Sequence, residues 1–461
     1  MKVIADLHFH SKYSRAVSPQ MVLPEIARWA QIKGIDLLGT GDFTHPLWIR
    51  ELKSQLEEAG KGIYKLKVKS EKLKVKEETK FLLSTEISSI YSQGGRGRRI
   101  HTLVLSPSFE TVEKINRELL KRGANLMSDG RPIIGLSARD LAELVLTVDE
   151  NCLVIPAHAW TPWFSLYGSQ SGFDSIEECF GDMAKCVFAV ETGLSSDPAM
   201  NWRVGELDNR SIISCSDAHS GAKLGREATV FQIKNEKIKN KNDNEKLKIS
   251  YEDITGVIKQ SSDSNWEIGY TIEFYPEEGK YHYTGHRVCG VRQSPGETNH
   301  LGTICPACGK KLTVGVMHRV EQLAAREVKS QKLKVKSDKY GVRWIHCEEA
   351  TKPPYVMLVP LLEILAESIG MTINSQKVIN EYKKLTEQFG GEFTVLLAVP
   401  LDEITKFAGP RMTEGISRVR SGQILIEPGY DGVFGVVKIW SGEPSSAKAT
   451  EGREKEQLGL F

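Results

Sequence analysis

No stretch of this sequence approaches the roughly 20 apolar residues that would span a membrane, and the opening MKVIADLHFH contains no apolar run of signal-peptide length. Both absences lead to the expectation of a cytoplasmic protein that does not act at a membrane. Cysteine is thin as well: eight residues scattered over 461 exclude a disulfide scaffold and suit a reducing compartment. There is no excess of charge, because 61 Lys and Arg against 59 Asp and Glu leave a formal +2. Any surface for nucleic acid must therefore be local. What is present, 40% hydrophobic and 26% charged residues, is the balance of a globular chain long enough for two or three domains.

Three lysine-rich stretches interrupt the pattern, at 64–80, 234–250 and 329–340, and the near-identical octets KLKVKSEK and KLKVKSDK begin at Lys65 and Lys332. Segments so poor in large apolar groups do not offset the entropy of ordering them, so they read as surface insertions rather than as a DNA-binding patch. Outside them, residues 1–232 alternate strand-like and helical runs. SPQMVLPEIARWAQIKG is helical, with Leu23, Ile26, Ala27 and Ala30 on one face, Ser18 near the start and Gly34 at the C-terminal cap. Seven strand-like runs, KVIADL, IDLLGT, KFLLST, IHTLVL, CLVIPA, CVFAVE and SIISCS, separated by helical intervals imply parallel strands buried on both sides, hence an α/β barrel or open sheet.

Nearly every one of these runs has a metal-ligand residue type at or near it: Asp6, His8 and His10, then Asp42 and His45, Glu86, His101, His158, Glu191, and finally Asp217 with His219. Carboxyl ends of strands converge on one crevice in α/β folds. In an extended strand His8 and His10 project to one face by its period of two. Imidazole and carboxylate without thiolate suit Zn²⁺, Mn²⁺ or Fe²⁺. Two such ions sharing a bridging carboxylate would generate hydroxide from bound water and clamp a phosphoryl group, the chemistry of phosphoester hydrolysis.

A second constellation lies in GHRVCGVRQSPGETNHLGTICPACGKKL. The spacing H-x2-C-x15-C-x2-C places His286, Cys289, Cys305 and Cys308 as a closed, structural zinc set. His282 or His300 are alternative fourth ligands and Cys347 a weaker one, whereas Cys152, Cys179, Cys186 and Cys215 sit in apolar runs as core residues. Beside His158, the loop AWTPWFSLYG offers Trp160, Trp163, Phe164 and Tyr167 as faces on which a base removed from the stack could rest, or as rings packed beneath the loop. Arg131, next to Asp129, and Arg203 are candidates for phosphate, with surface ion pairing the alternative. The C-terminal GPRMTEGISRVRSGQ carries Arg411, Arg418 and Arg420 as a backbone clamp on DNA or as a solvated helix face.

The order HxH, GD, E, H, H, SDAH resembles the PHP (polymerase and histidinol phosphatase) domain. That resemblance implies a distorted barrel of seven β/α units: His8, His10, Glu86 and Asp217 on one ion, Glu86, His101 and His158 on a second, and Asp42 or His45 with His219 on a third. Asp217, Glu86 and His8 would be catalytic. Where many PHP phosphatases carry a further His just past HxH, this chain reads SKYSRA, which leaves the third site least supported. With the zinc knuckle, HRVEQLA and a helical end, the chain is more narrowly similar to the endonuclease Q family of DNA-repair enzymes. This implies cleavage 5′ of uracil, hypoxanthine, xanthine or an abasic site, with Mg²⁺ or Mn²⁺ for activity, and Zn²⁺ in the module and as an option at the centre. A phosphatase of small phosphomonoesters and a non-catalytic DNA-binding adaptor are the alternatives.

The expected domains are a PHP unit at 1–232 (insertion at 61–80), a connector at 233–264, a zinc module at 265–350 with its insertion at 329–340, a helical DNA-binding domain at 351–440, and a tail at 441–461. The tail ends in QLGLF. Its Gln457, Leu458, Leu460 and Phe461 resemble the motif by which bacterial proteins dock on the sliding clamp, which would bring the enzyme to the nucleoid.

Overall fold

The computed structural model describes residues 1–67, 79–234, 249–325, 333–348 and 351–440. The clamp motif and much of the lysine-rich stretches lie outside these residues. The chain begins with β1 (Lys2–Asp6), α1 (Leu23–Lys33), β2 (Leu37–Gly39), α2 (Pro46–Gln55) and the hairpin β3 (Leu56–Gly60) and β4 (Ile63–Leu66). It continues through β5 (Lys80–Gln93), β6 (Arg96–Ser106), α3 (Phe109–Lys121), β7 (Ile133–Ile134), α4 (Ala138–Val148), β8 (Leu153–Pro156), α5 (Ile176–Phe180), β9 (Ala189–Glu191), α6 (Pro198–Asn201), β10 (Ser211–Ile213) and β11 (Ala228–Ile233).

All seven strand-like runs form strands, and the period of two sorts their side chains. Val3, Ala5, Leu37, Leu82, Leu103, Leu105, Leu153, Ile155, Ala189 and Ile213 share one buried cluster. Their neighbours Leu38, Phe81, Leu83, Val104, Val154 and Val190 pack into a second cluster that takes in the helices. Pairing is parallel at β1–β2, β2–β5 and β9–β10. The expectation of parallel strands throughout needs correction at β6, which is antiparallel both to β5, in a long hairpin, and to β8. The reason is local: Gly94 and Gly95 both take positive φ, which lets the chain reverse directly with no crossover helix. In α1 the predicted face is buried and Gly34 caps the helix in the left-handed conformation, but the N-cap is Val22 rather than Ser18.

Beyond α7 (Tyr251–Ile258), β12 (Trp266–Glu273) pairs with β11 in the main sheet. The module expected from residue 265 thus lends its first strand to the barrel, because Trp266, Tyr270 and Ile272 are apolar and buried there. The zinc-type loops follow on β13 (Thr284–His286), β14 (Val291–Gln293), α8 (Pro295–Leu301) and α9 (Val316–Leu323). Next come β15 (Leu333–Ser337), β16 (Arg343–Cys347) and β17 (Tyr355–Met357), which continue the sheet from β12 to its edge. The lysine-rich β15 is exposed throughout, as a surface insertion should be.

The helical region comprises α10 (Leu361–Ile369), α11 (Gln376–Phe389), α12 (Glu392–Leu397), α13 (Leu401–Ala408) and α14 (Pro410–Ser421), followed by the ribbon β18 (Leu425–Glu427) and β19 (Val436–Lys438). It docks on α1 through a buried ion pair, Lys33 Nζ to Glu392 Oε2 at 3.0 Å. No helix among the described residues is long and apolar enough to cross a membrane.

Candidate metal centre

The turns after β1, β8 and β10, with the interior of the β5–β6 hairpin, bring two groups of donors together. His8, His10 and Asp217 form one; Glu86, His101 and His158 form the other; within each, the ligand atoms all lie within 4.8 Å of one another. Glu86 joins them. Its Oε1 lies 2.7 Å from His101 Nδ1 and 3.0 Å from His158 Nε2. Its Oε2 lies 3.2 Å from His10 Nε2 and 3.8 Å from His8 Nε2. Asp217 Oδ1 completes the first group at 3.1 Å from His10 Nε2.

Protonation follows from burial and charge. Burial opposes ionisation of Glu86, yet His101 and Arg131 hold its carboxyl well below the usual range. Burial, with Arg131 and a neighbouring histidine adding to it, presses His101 and His219 down to about 4 against the pull of Glu86 and Asp217, which leaves both imidazoles neutral. Inside the protein, His8 Nε2, His10 Nε2 and Asp217 Oδ1 make no hydrogen bond. Unpaired buried polar atoms cost about 1–3 kcal/mol each, and the donor set, imidazole with carboxylate, matches divalent cations. The residues fit a two-ion centre.

Two carboxylates expected as ligands have another task. Glu191 accepts from His8 Nδ1 at 3.0 Å and from the His158 amide at 2.7 Å. Asp42 accepts from His10 Nδ1 at 2.9 Å, from Ser11 N and Oγ at 2.7 Å each, and from Ser14 Oγ at 2.9 Å. Each fixes the tautomer that turns an imidazole Nε2 toward the centre. Nor does the third set assemble: the His45 ring stacks on Tyr13 at 4.3 Å, and His219 donates from Nδ1 to the Asp217 carbonyl at 2.8 Å. Neither belongs to a ligand group. Missed by the sequence reading were Ser11 and Ser14, in the very segment that departs from the phosphatases, and the pinning role of Asp6. Asp6 accepts from Ser216 N and Oγ and from Gly225 N at 2.6–3.0 Å, tying the Asp217 loop to β1. Its position in register with His8 and His10 was the available signal.

Backbone conformation does the final aiming. Seven non-glycine residues among those described have positive φ, and four of them, Asp42, His158, Phe164 and Asp217, are at this site. A Cβ at Gly193 would lie 2.4 Å from that of His158, so only glycine admits the His158 turn.

The aromatic loop divides. Trp160 and Tyr167 are fully buried; their polar tips bond Asn201 and Glu206, and their rings lie 4.7 Å apart. They are core, not substrate contacts. Phe164 stays half-exposed with its ring 4.8 Å from His101, and Trp163 is half-exposed 5.4 Å from Tyr281. Arg203 is likewise corrected: it is buried and ion-paired to Glu321. Arg131 does reach the centre, with Nη1 3.2 Å from Glu86 Oε2. In the helical region Arg420 is buried and donates to the carbonyls of Leu396, Val395 and Val399, capping α12. Arg418 pairs with Glu414, and Arg411 stacks on Trp440 at 3.8 Å.

In the module, His286, Cys289, Cys305 and Cys308 come together, with the Cys308 sulfur 3.4 Å from His286 Nδ1. Burial would raise the Cys305 thiol, but the amides of Ala307 and Cys308 bring it down to about 6, toward the thiolate that binds metal. His282 and His300 are not in the group, and neither is Cys347, at the end of β16. Cys152, Cys179 and Cys215 are buried core thiols and Cys186 is half-buried.

A family model described as the MJ0043 C-terminal domain matches residues 360–423. The chain is 28% identical over 448 residues to the uncharacterized protein YqxK of Bacillus subtilis, covering 95% of this chain and 99% of that protein. It is 32% identical over 284 residues to the uncharacterized protein MJ0043 of Methanocaldococcus jannaschii, covering 61% of this chain but only 31% of that relative's length. Two solved structures are similar along nearly the whole chain, each with a TM-score of 0.75. One is the lesion-specific endonuclease PfuEndoQ from Pyrococcus furiosus, 29% identical, covering 97% of this chain and 99% of that one. The other is endonuclease Q in complex with a 27-mer duplex substrate with an abasic lesion at the active site, 30% identical, covering 97% and 100%.

Proposed function

The chain belongs to the endonuclease Q family, and we propose that, as a metal-dependent DNA-repair endonuclease, it hydrolyses the phosphodiester 5′ of uracil, hypoxanthine or xanthine and of abasic sites. The products are a 3′-hydroxyl and a 5′-phosphate. The observation that carries this reading is Glu86, whose two oxygens face two separate groups of ligand-type residues. Bound at these groups, Mg²⁺ or Mn²⁺ supplies activation of water and neutralisation of the charge that develops on phosphorus.

The chain's own residues do the rest. Asp217 and His8 with His10 hold one side of the centre, and His101 with His158 the other. Glu191, Asp42 and Asp6 keep those groups aimed before substrate arrives. Phe164, beside His101, and Trp163 give a displaced base two aromatic faces, each contact worth about 1–3 kcal/mol. Zn²⁺ in the Cys₃His module is structural, and residues 351–440 contact the DNA backbone with Arg411 and Arg418. The tail, through Gln457, Leu458, Leu460 and Phe461, tethers the enzyme to a bacterial sliding clamp. The test is incision of labelled duplexes carrying uracil, hypoxanthine, xanthine, an abasic site or no lesion, with Mg²⁺ or Mn²⁺. Selective nicking 5′ of the lesions is expected; uncut lesion duplexes, or equal cutting of undamaged DNA, would overturn the reading.

A further inference from the structure

Among the side chains that converge on the centre is one permanent cation. Arg131 is buried but for 13% of its side chain, and Nη1 donates to Glu86 Oε2, the oxygen that also faces His8 and His10. The remaining donors of its fork bond to no other described group. The loop that carries it is held from several sides. Gly130 N donates to the Tyr13 carbonyl at 3.0 Å, Thr44 Oγ1 to the Gly130 carbonyl at 3.1 Å, Arg131 N to Asp129 at 3.1 Å, and Ser88 N to the Pro132 carbonyl at 3.0 Å. A Cβ at Gly130 would meet Asp42 Oδ2 at 2.3 Å, so glycine is what lets the loop close over the site. An arginine this firmly placed beside a bridging carboxylate is positioned for an anion that arrives later, because a guanidinium fork matches two phosphate oxygens at once.

Meanwhile the residues expected for a third ion are engaged elsewhere: Asp42 accepts four hydrogen bonds and His45 stacks on Tyr13. We propose that Arg131 is a catalytic residue whose guanidinium supplies the third cation of the centre, gripping the non-bridging oxygens of the scissile phosphodiester where a third metal ion would otherwise stand. This rests on the reading of the chain as a phosphodiesterase. As water gives up a proton and its oxygen bonds to phosphorus, the bond to the 3′ oxygen breaks and that oxygen takes a proton from solvent to become the 3′-hydroxyl; meanwhile the phosphoryl group passes from one negative charge toward two. Arg131 meets that added charge and keeps its own protons throughout.

The experiment uses the full chain and two variants, Arg131→Ala and Arg131→Lys, the second preserving charge if the first folds poorly. Two substrates are used: an abasic-site duplex and the chromogenic diester bis(4-nitrophenyl) phosphate. Removing one donor to a developing oxyanion lowers kcat by about 10²–10³-fold, and that loss is expected for Arg131→Ala on both substrates with KM changed less than about threefold. The lysine variant should recover only part, since it lacks the fork. Elemental analysis should give three ions per chain, two at the centre and one in the module, in the native chain and both variants. Affinity for Mn²⁺ should be unchanged or higher in Arg131→Ala, because a cation beside Glu86 has gone. Four ions per chain, kcat within threefold of native, or weaker Mn²⁺ binding, which would make Arg131 merely a support for Glu86, each overturn the proposal. A native chain that cleaves the chromogenic diester but no lesion duplex sinks the lesion reading alone, and the diester then decides the role of Arg131.

Discussion

Replacing Glu191 with Gln separates a carboxylate that holds an ion from one that holds a histidine. Glu191 Oε1 and Oε2 lie 3.0 and 3.1 Å from His8 Nδ1, and Oε2 also accepts the His158 amide at 2.7 Å. Glutamine retains one acceptor oxygen, so its NH₂ must face the N–H of either His8 or His158, donor against donor. If the oxygen stays with His8, the His158 amide loses its partner, and that residue already holds a φ of +30°, a conformation that only its surroundings maintain. If the oxygen stays with His158, His8 loses the acceptor that fixes its tautomer. Either way one bond and a full negative charge behind an imidazole disappear while all six ligand-type residues remain. Loss of such a partner costs 10–100-fold in metal affinity, or about 1.4–2.8 kcal/mol. Calorimetric titration of the full chain with Mn²⁺, after removal of the catalytic ions, should therefore still count two ions at the centre, bound 10–100-fold more weakly. A count that falls to one would make Glu191 a ligand, and affinity within threefold of native would show that the His8 contact does nothing; either result refutes the reasoning.

Three further outcomes follow from the same geometry. Trp160→Ala should cost about 3–5 kcal/mol of stability, as for other buried large aromatics, whereas Trp163→Ala should leave the thermal midpoint nearly unchanged and weaken lesion-duplex binding by about 1–3 kcal/mol; equal affinity of the Trp163 variant and the native chain would remove it from the substrate surface. Cys305→Ala should release one zinc per chain by elemental analysis and expose residues 284–313 to proteolysis, and an unchanged zinc content would disprove the module's ligand set. Burial raises the Glu273 carboxyl to about 8 from an ordinary value near 4.5, against the hydroxyls of Ser214, Thr271 and Thr192. The unfolded chain therefore sheds that proton between pH 4.5 and 8 while the native chain keeps it, so this group's support for the fold is complete below pH 4.5 and declines up to pH 8. Glu273→Gln, which cannot ionise, should gain thermal midpoint over the native chain as pH rises from 5 to 8, and a constant difference would contradict the assignment.

Much of the centre was legible because ligand chemistry and strand periodicity are both written locally: an H-x-H pair just past a β-strand, single histidines and carboxylates within or just past others, and H-x2-C-x15-C-x2-C in the module. What separates ligand from support is not local. Glu86, in the middle of β5, and Glu191, at the end of β9, are the same residue type on strands that line the centre, yet Glu86 turns both oxygens to two groups of donors while Glu191 spends both on His8 and His158. Asp42 and Asp217 likewise both precede the centre in short polar turns at positive φ, but Asp42 meets Ser11 and Ser14, whose hydroxyls and amide fill its lone pairs. The aromatic loop shows the same limit. Trp160 and Tyr167 are core because partners 41 and 39 residues away, Asn201 and Glu206, satisfy their polar tips inside the protein, and the string AWTPWFSLYG contains neither partner. Arg131 and Arg203 differ in the same way, one meeting Glu86 and the other Glu321.

The backbone accounts for why so few residues change role so sharply. A non-glycine residue in the left-handed region costs of order 1–3 kcal/mol, and such residues cluster where function requires an otherwise unfavourable geometry. Four of the seven found among the described residues surround this centre. Asp42, His158 and Asp217 follow β2, β8 and β10 within four residues, and Phe164 lies further along the loop after β8. At His158 the turn is held by the Glu191 bond and by the absence of a Cβ at Gly193; at Asp217 by the amide bond to the His8 carbonyl at 2.9 Å and by Asp6 gripping Ser216. The groups that keep these turns closed are therefore as necessary to the centre as its ligands. Relaxing the turn at His158 or Asp217 would displace a ligand without altering a single ligand residue.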